Sequence, residues 1–109
     1  MSYIRRLSMA LTETTLYDKI EVVGPYKVVQ VRKRNSVQKD GVEIASNFER
    51  YTLEAGKIDT SDNFVDNPLD KEPDGVTAIP EEVKNICTAA WTADVKSSFR
   101  NFLIANKPA

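Results

Sequence analysis

The sequence predicts an α+β fold in which a small antiparallel sheet is packed by two C-terminal helices. Two runs of alternating apolar and polar residues flank Asp40-Gly41, and they form a central hairpin over residues 26–53. Alternation around an Asp-Gly pair is typical of a β-hairpin. After residue 80 the apolar residues recur instead at helical spacing. With 109 residues, the chain is expected to form a single domain over residues 1–109.

The N-terminal segment predicts a short helix or an arm. Over residues 2–11 the apolar side chains recur at helical spacing, and Ser2 is available as the N-cap. A helix of about three turns is marginal alone in water. Residues 1–12 therefore either dock on their own domain or act as an assembly arm. The apolar residues at this spacing are Tyr3, Ile4, Leu7 and Leu11.

The first strand is predicted over residues 16–23, after a connector over residues 12–15. Ile20 and Val22 alternate with charged neighbours and are expected to face inward. Gly24-Pro25 then interrupts the strand, because proline fixes φ and cannot donate to a sheet ladder. The interruption is either a tight turn or a bend within one long strand.

The Asp-Gly turn sets the register of the central hairpin. Placing Asp40-Gly41 at the two central turn positions, where glycine tolerates positive φ, pairs Lys39 with Val42. One face of the hairpin is then apolar, and we expect the two C-terminal helices to cover it. The residues on this face are Val29, Val31, Val37, Val42, Ile44 and Phe48.

The opposite face of the hairpin carries charges of both signs. In this register Arg32 lies across from Glu49, and Arg34 lies diagonal to it. The basic run Arg32, Lys33 and Arg34 raises the alternative of a nucleic-acid surface. Acidic residues on the same face partly neutralise that run, so nucleic acid is not an expected partner.

Residues 57–79 predict a long acidic loop of irregular structure, pinned by Phe64 and Leu69. The acidic residues Asp70, Glu72, Asp74 and Glu81 match the spacing of calcium ligands in an EF-hand loop. The context is wrong for that motif, because Pro68 and its neighbours show no helical period. We therefore expect a solvated acidic loop and no metal site.

Two C-terminal helices are predicted from their start signals. Pro80, followed by two acidic residues, is typical of a first helical turn, and Thr92 is a suitable N-cap for the second helix. Each helix has an apolar stripe. The stripes are Val83, Ile86, Cys87, Ala90 and Trp91 in the first, and Val95, Phe99, Phe102 and Leu103 in the second.

The composition argues against an enzyme. Histidine is absent, which removes the commonest general base and metal ligand. Cys87 is the single cysteine and falls on an apolar helix stripe, so a buried, unreactive thiol is expected. No glycine-rich phosphate loop is present, and no cofactor is expected. No apolar run reaches the roughly 18–20 residues of a membrane span, and we expect no signal peptide or membrane partner.

The charges are unevenly distributed, although the net charge is only −1. Residues 27–39 hold five basic and no acidic side chains, whereas residues 54–82 hold nine acidic side chains and two basic ones. Segregated charge suits head-to-tail contact between copies, or docking on a charged neighbour. The alternative is a solvated sheet face and an acidic loop that contact nothing.

Three segments of the chain resemble a family of small uncharacterised proteins of tailed phages that infect aquatic bacteria. They are VVGPYKVVQVR at 22–32, KDGVEIASNFERYTL at 39–53 and VKNICTAAWTADVK at 83–96. The resemblance covers roughly residues 18–100, and such proteins are often encoded beside virion genes. The resemblance implies that the chain is a phage protein, but it contains no catalytic motif and identifies no site residues. The loop over residues 59–74 and the N-terminal segment depart from the family pattern.

Two functions are consistent with these features. The first is a phage virion structural or assembly protein, such as a capsid cement, neck or tail component, that is assembled in the host cytoplasm. It would pack against copies of itself or other virion proteins. The second is a non-virion accessory protein that binds a host factor through its acidic loop. The predicted interface residues are Tyr3, Ile4, Leu7, Arg32, Lys33, Arg34 and Phe64.

Overall fold

A computed structural model describes residues 11–108 of the chain. The predicted N-terminal helix over residues 2–11 falls outside this range except for Leu11. Within these residues, five strands precede two helices. They are β1 (Leu11–Val23), β2 (Val28–Lys39), β3 (Val42–Leu53), β4 (Gly56–Ile58), β5 (Phe64–Asp66), α1 (Glu81–Ala90) and α2 (Ala93–Ala105).

The predicted α+β class is confirmed. The first three strands form an antiparallel sheet in the order β1-β2-β3, and a second, two-stranded sheet pairs β4 with β5. The interruption at Gly24-Pro25 is a tight turn, in which the Lys27 amide donates to the Gly24 carbonyl over 3.2 Å. The three long strands therefore follow one another in space as they do along the chain.

The start of β1 differs from the prediction. Residues 12–15 were expected to connect a helix to a strand, but they belong to β1, which begins at Leu11. Threonine favours strands because its branched side chain fits the pleated surface. Here Thr14 and Thr15 bond to Ser36 and Asn35 on β2, at 2.8 and 2.9 Å. Because both residues 12–15 and their partners on β2 are polar, the sequence shows no apolar alternation there, and the pattern resembles that of a loop.

The turn of the central hairpin forms as predicted. β2 ends at Lys39 and β3 begins at Val42, which leaves Asp40 and Gly41 as the two-residue loop. Their φ angles are 54° and 82°, the positive values that a type I′ turn requires. Glycine adopts this conformation without steric cost, and aspartate tolerates it better than most residues.

The chain divides into two compact units. Each of β1, β2 and β3 contributes residues to both units. Within the described residues, the first unit holds residues 11–19 and 32–50, and the second holds residues 20–31 and 51–108. All buried apolar side chains among residues 11–108 belong to the second unit. They are Val29, Val31, Leu53, Ala55, Ile79, Val83, Cys87, Trp91 and Phe99.

The apolar face predicted for the hairpin is buried only in part. Val29 and Val31 are buried, but Val42, Ile44 and Phe48 are 65%, 57% and 45% exposed. Strand length explains the error. The 12 residues of β3 extend about 40 Å, whereas helices of 10 and 13 residues are only about 15 and 20 Å long. Each helix therefore spans at most about half the length of such a strand.

The segment over residues 57–79 is more ordered than predicted. β4 and β5 form a small hairpin in which Lys57 pairs with Val65, and Lys71 forms an isolated antiparallel bridge with Ala78. Gly56 has a steric role, because a Cβ atom there would collide with the Val65 carbonyl and the Phe64 ring. Most acidic residues of this segment lie in short turns. The segment therefore has no hydrophobic periodicity from which its small hairpin could be predicted.

The two helices begin where their start signals indicate. Pro80 is the N-cap of α1, and Glu81 and Glu82 occupy its first turn. The Thr92 side chain accepts from the Val95 amide at 3.3 Å and caps α2. Between the helices, the buried Trp91 donates from Nε1 to the Lys27 carbonyl over 2.7 Å. This bond ties the helical segment to the turn that joins β1 and β2 within the second unit.

Candidate interaction surface

The part of the first unit that the structure describes, residues 11–19 and 32–50, is a three-stranded ribbon. Polar side chains join β1 to β2 along it. Thr12 bonds to Gln38 at 3.2 Å, and Gln38 donates to Ser36 at 2.8 Å and to Thr14 at 3.2 Å. The contacts between the two strands fit one antiparallel register. Polar side-chain bonds, rather than buried apolar side chains, therefore connect the described strands here.

The ribbon carries an aromatic ring flanked by two guanidinium groups. Arg32 lies 4.5 Å from the centre of the Phe48 ring, and Arg50 lies 5.8 Å from it. Arg32 is held by Asp18 through two bonds, from Nε at 3.0 Å and from Nη2 at 2.9 Å. The bond from Arg32 holds the pKa of the Asp18 carboxyl below its ordinary value. We refer to Arg32, Phe48 and Arg50 as the Arg-Phe cluster.

The other basic residues of β2 are paired within the ribbon. Arg34 donates to Glu43 over 2.6 Å, which lowers the pKa of the Glu43 carboxyl and raises that of the guanidinium. Lys33 is buried, lies 5.6 Å from the centre of the Tyr17 ring, and has its Nζ 3.9 Å from a Glu49 oxygen. The positive run seen in the sequence is therefore largely neutralised by ribbon carboxylates.

Arg32 and Glu49, which the turn register places opposite each other, form no ion pair. Glu49 instead accepts from Asn35 at 2.9 Å, and Asn35 also donates to Asn47 at 3.1 Å. The turn register would place Asn47 opposite Arg34, so the Asn35–Asn47 contact is offset from that register by one residue. Such an offset is the geometry that a β-bulge in β3 produces. Such an offset cannot be predicted from alternation alone, and it is consistent with the contact between Phe48 and Arg32.

A cleft of about 280 Å³, lined by polar side chains and by Val37 and Ala45, opens on the ribbon near this offset. Hydroxyl and amide groups of Thr14, Asn35 and Ser46 line it, together with Glu13. These groups can donate and accept hydrogen bonds, but they form no acid–base pair with one another. The cleft adds contact area of mixed character to the ribbon surface.

Phe64, the remaining interface candidate that the structure describes, lies in the second unit. Its ring meets Phe99 edge-on with the centroids 6.5 Å apart, and Tyr26 lies 5.5 Å from Phe99 and 4.9 Å from Phe102. Phe64 is half-buried in this aromatic cluster. The other predicted interface residues, Tyr3, Ile4 and Leu7, lie outside the described residues.

The acidic residues of the calcium-like pattern do not converge. Glu72 is only 4% exposed and accepts from the Tyr51 hydroxyl at 2.9 Å, so it is not the solvated side chain that was expected. Asp74 accepts from the Val76 and Thr77 amides, both at 2.9 Å, and stabilises a turn. Asp70 is exposed, and Glu81 lies in the first turn of α1. Within residues 11–108, no group of three or more acidic or cysteine side chains is placed to hold a metal ion.

Cys87 is fully buried on α1, as predicted. Burial raises the pKa of its thiol to about 11, because the thiolate would lose its solvation. At neutral pH the side chain is therefore a thiol that packs as a small apolar group.

Comparison of the chain with protein-family models, with curated proteins and with solved structures found no match. None of the helices within residues 11–108 is long and apolar enough to cross a membrane. The function of the chain must therefore be inferred from the surfaces of its two units. The sequence pointed to Arg32 as an interface residue but missed Asp18, Phe48 and Arg50. The alternation predicts Phe48 on the apolar face of the hairpin. Only the register offset reveals that it lies beside Arg32 instead.

Proposed function

We propose that this chain is a structural or assembly protein of a phage virion, and that it acts by packing its ribbon against neighbouring proteins. Its neighbours are copies of itself or other virion proteins, and its place is the assembled particle. A capsid cement, a neck component and a tail component are all consistent with this role.

The observation that carries the proposal is the ribbon's lack of a hydrophobic core. Among its described residues no apolar side chain is buried, whereas Leu11, Leu16 and Ile44 are more than half exposed. Ribbons of this size are marginal in water unless a hydrophobic face is covered. Contact with a neighbour would bury these side chains and stabilise the strands.

The edges of the sheet support the same role. β1 and β3 are the outer strands of the sheet order, and residues 42–50 of β3 are exposed at every position. An exposed edge strand can pair with a strand of another chain unless it is blocked by proline or protected by a covering element. β3 contains no proline. Strand addition is therefore an available mode of association.

The phage setting is supported by the resemblance of residues 22–32, 39–53 and 83–96 to small phage proteins. Quantitative mass spectrometry of gradient-purified particles of the encoding phage tests it. We expect the chain at a copy number that is a fixed multiple of a symmetric virion component. Absence from the particles, combined with one host protein recovered stoichiometrically with the chain, would favour the host-factor function instead.

A further inference from the structure

We propose that the ribbon of one copy docks on the acidic second unit of another copy through the Arg-Phe cluster. The proposal rests on the proposed packing function and names the partner as a second copy of this chain. The contact is heterologous, since it joins two different surfaces, and repetition of such contacts gives rings or filaments.

The Arg-Phe cluster has the chemistry of an interface anchor. Arginine and aromatic side chains are enriched among the residues that contribute most to binding. Phe48 stays 45% exposed although two guanidinium groups flank its ring. Arg32 is fixed by Asp18, so little side-chain entropy is lost when the cluster is covered. Arg50 is exposed, and its guanidinium makes no ion pair with a carboxylate among residues 11–108.

The charges of the two units are complementary. The described ribbon holds six basic and five acidic residues, a net charge of +1, whereas residues 20–31 and 51–108 hold seven basic and eleven acidic residues, a net charge of −4. Within the described chain, four exposed carboxylates of the second unit form neither an ion pair nor a hydrogen bond, unlike Asp59, which accepts from two backbone amides. They are Glu54, Asp70, Glu82 and Asp94. Opposite charges of this kind favour ribbon-to-unit contact over ribbon-to-ribbon contact.

Sedimentation velocity of the purified full-length chain gives the first test. We expect reversible self-association that weakens roughly tenfold or more in dissociation constant between 0.05 and 0.5 M NaCl, because salt screens exposed charges. A chain that remains monomeric at millimolar concentration in low salt would overturn the proposal. Self-association that strengthens with salt would do the same, since it would indicate a purely apolar contact.

Charge variants locate the contact. Arg50→Glu should raise the dissociation constant roughly tenfold or more, and Phe48→Ala should raise it by a similar factor. Lys57→Glu makes the same change of charge in the second unit, where Lys57 is exposed on β4, and should leave association intact or strengthen it. Equal weakening by Arg50→Glu and Lys57→Glu would contradict the proposed polarity. Circular dichroism checks that each variant is folded.

A mixing experiment distinguishes heterologous from isologous contact. The fourfold variant Glu54→Lys, Asp70→Lys, Glu82→Lys, Asp94→Lys should, like Arg50→Glu, self-associate with a dissociation constant raised roughly tenfold or more. Mixed together, they should form a 1:1 complex, because one supplies an intact ribbon and the other an intact acidic unit. Failure of the pair to associate, or undiminished self-association of the fourfold variant, would overturn the proposal.

The two proposals fail in different ways. A chain that is abundant in particles but monomeric in solution would refute the docking of copies and leave the virion role in place. A chain that self-associates as described but is absent from particles would refute the virion role alone.

Discussion

Arg32 contacts Asp18 and Phe48 at once: its Nε and Nη2 donate to the carboxylate at 3.0 and 2.9 Å, and its guanidinium lies 4.5 Å from the centre of the ring. One side chain on the central strand thus links both edge strands of the ribbon. The two-point bond fixes the guanidinium plane, and a fixed cation beside the ring face stabilises the ring by cation–π attraction. This arrangement keeps an aromatic side chain ordered at the surface of a unit that has no buried apolar side chain among its described residues.

Acidification should loosen the ribbon. The carboxyls of Asp18 and Glu43 have pKa values below their ordinary 3.8 and 4.5, because Arg32 and Arg34 bond to the charged forms. A lowered pKa adds stability that is complete above the ordinary value and is lost as the pH falls through the folded value. Thermal melting of the ribbon's amide NMR signals should therefore shift downward below about pH 4.

Asp18→Asn is the matched control for this pH dependence. It keeps the shape of the side chain but cannot be titrated, so its ribbon should melt earlier at pH 6 and lose less on acidification. An unchanged difference in melting temperature between pH 6 and pH 3 would show that the Arg32–Asp18 bond does not contribute as described.

Trp91 should stabilise the second unit through its ring nitrogen as well as through packing. Trp91→Phe leaves the Lys27 carbonyl without the 2.7 Å bond and should reduce the free energy of unfolding by about 1–3 kcal/mol. Urea denaturation followed by circular dichroism measures this loss. A reduction below about 0.5 kcal/mol would indicate that solvent replaces the indole donor at no cost.

The aromatic residues of α2 offer a pair of substitutions that differ in burial. Phe99 is 3% exposed and Phe102 is 41% exposed. Phe99→Ala should reduce the free energy of unfolding by about 3–5 kcal/mol, since it opens a cavity. Phe102→Ala should cost about 1–2 kcal/mol, because much of the ring already meets solvent. Denaturant titration of both variants checks the order, and equal losses would contradict the assignment of Phe99 to the core.

Cys87 should react only when the chain opens. Its thiol is fully buried, and its pKa is raised to about 11. At pH 8 a thiol reagent should label the native chain far more slowly than the urea-unfolded chain. Because the unfolded thiol ionises near its ordinary pKa of 9.0, the folded state should also lose stability as the pH rises from about 9 to 11. Rapid native labelling would show that α1 does not shield this position.

The sequence was sufficient for elements that depend on local signals. Asp40-Gly41 fixed the hairpin because positive φ at both positions is a local requirement, and Thr92 fixed the start of α2 because an N-cap acts on its own helix. Residues 12–15 were misassigned because their strand depends on polar partners distant in sequence, on β2. Alternation predicted that Val29 and Val31 would be buried. It could not show which other apolar residues of the hairpin remain exposed.

The interaction surface was less predictable for a related reason. The basic run of β2 is visible in the sequence, but its neutralisation depends on Asp18 from β1 and on Glu43 from β3. Phe48 alternates like a core residue, and the one-residue offset in β3 that brings it beside Arg32 has no sequence signal. Charge imbalance between segments pointed toward association between copies, but it did not identify the residues of the contact.

Hydrogen exchange of the ribbon amides, compared between the free chain and the chain in purified particles, tests most directly whether the ribbon is the packing surface. Residues 42–50 are exposed on an edge strand in the free chain, and we expect those of their amides that do not bond to β2 to exchange at least roughly tenfold more slowly in particles. Amides of α1 should change little and serve as the internal reference. Equal exchange of residues 42–50 in both states would contradict the account.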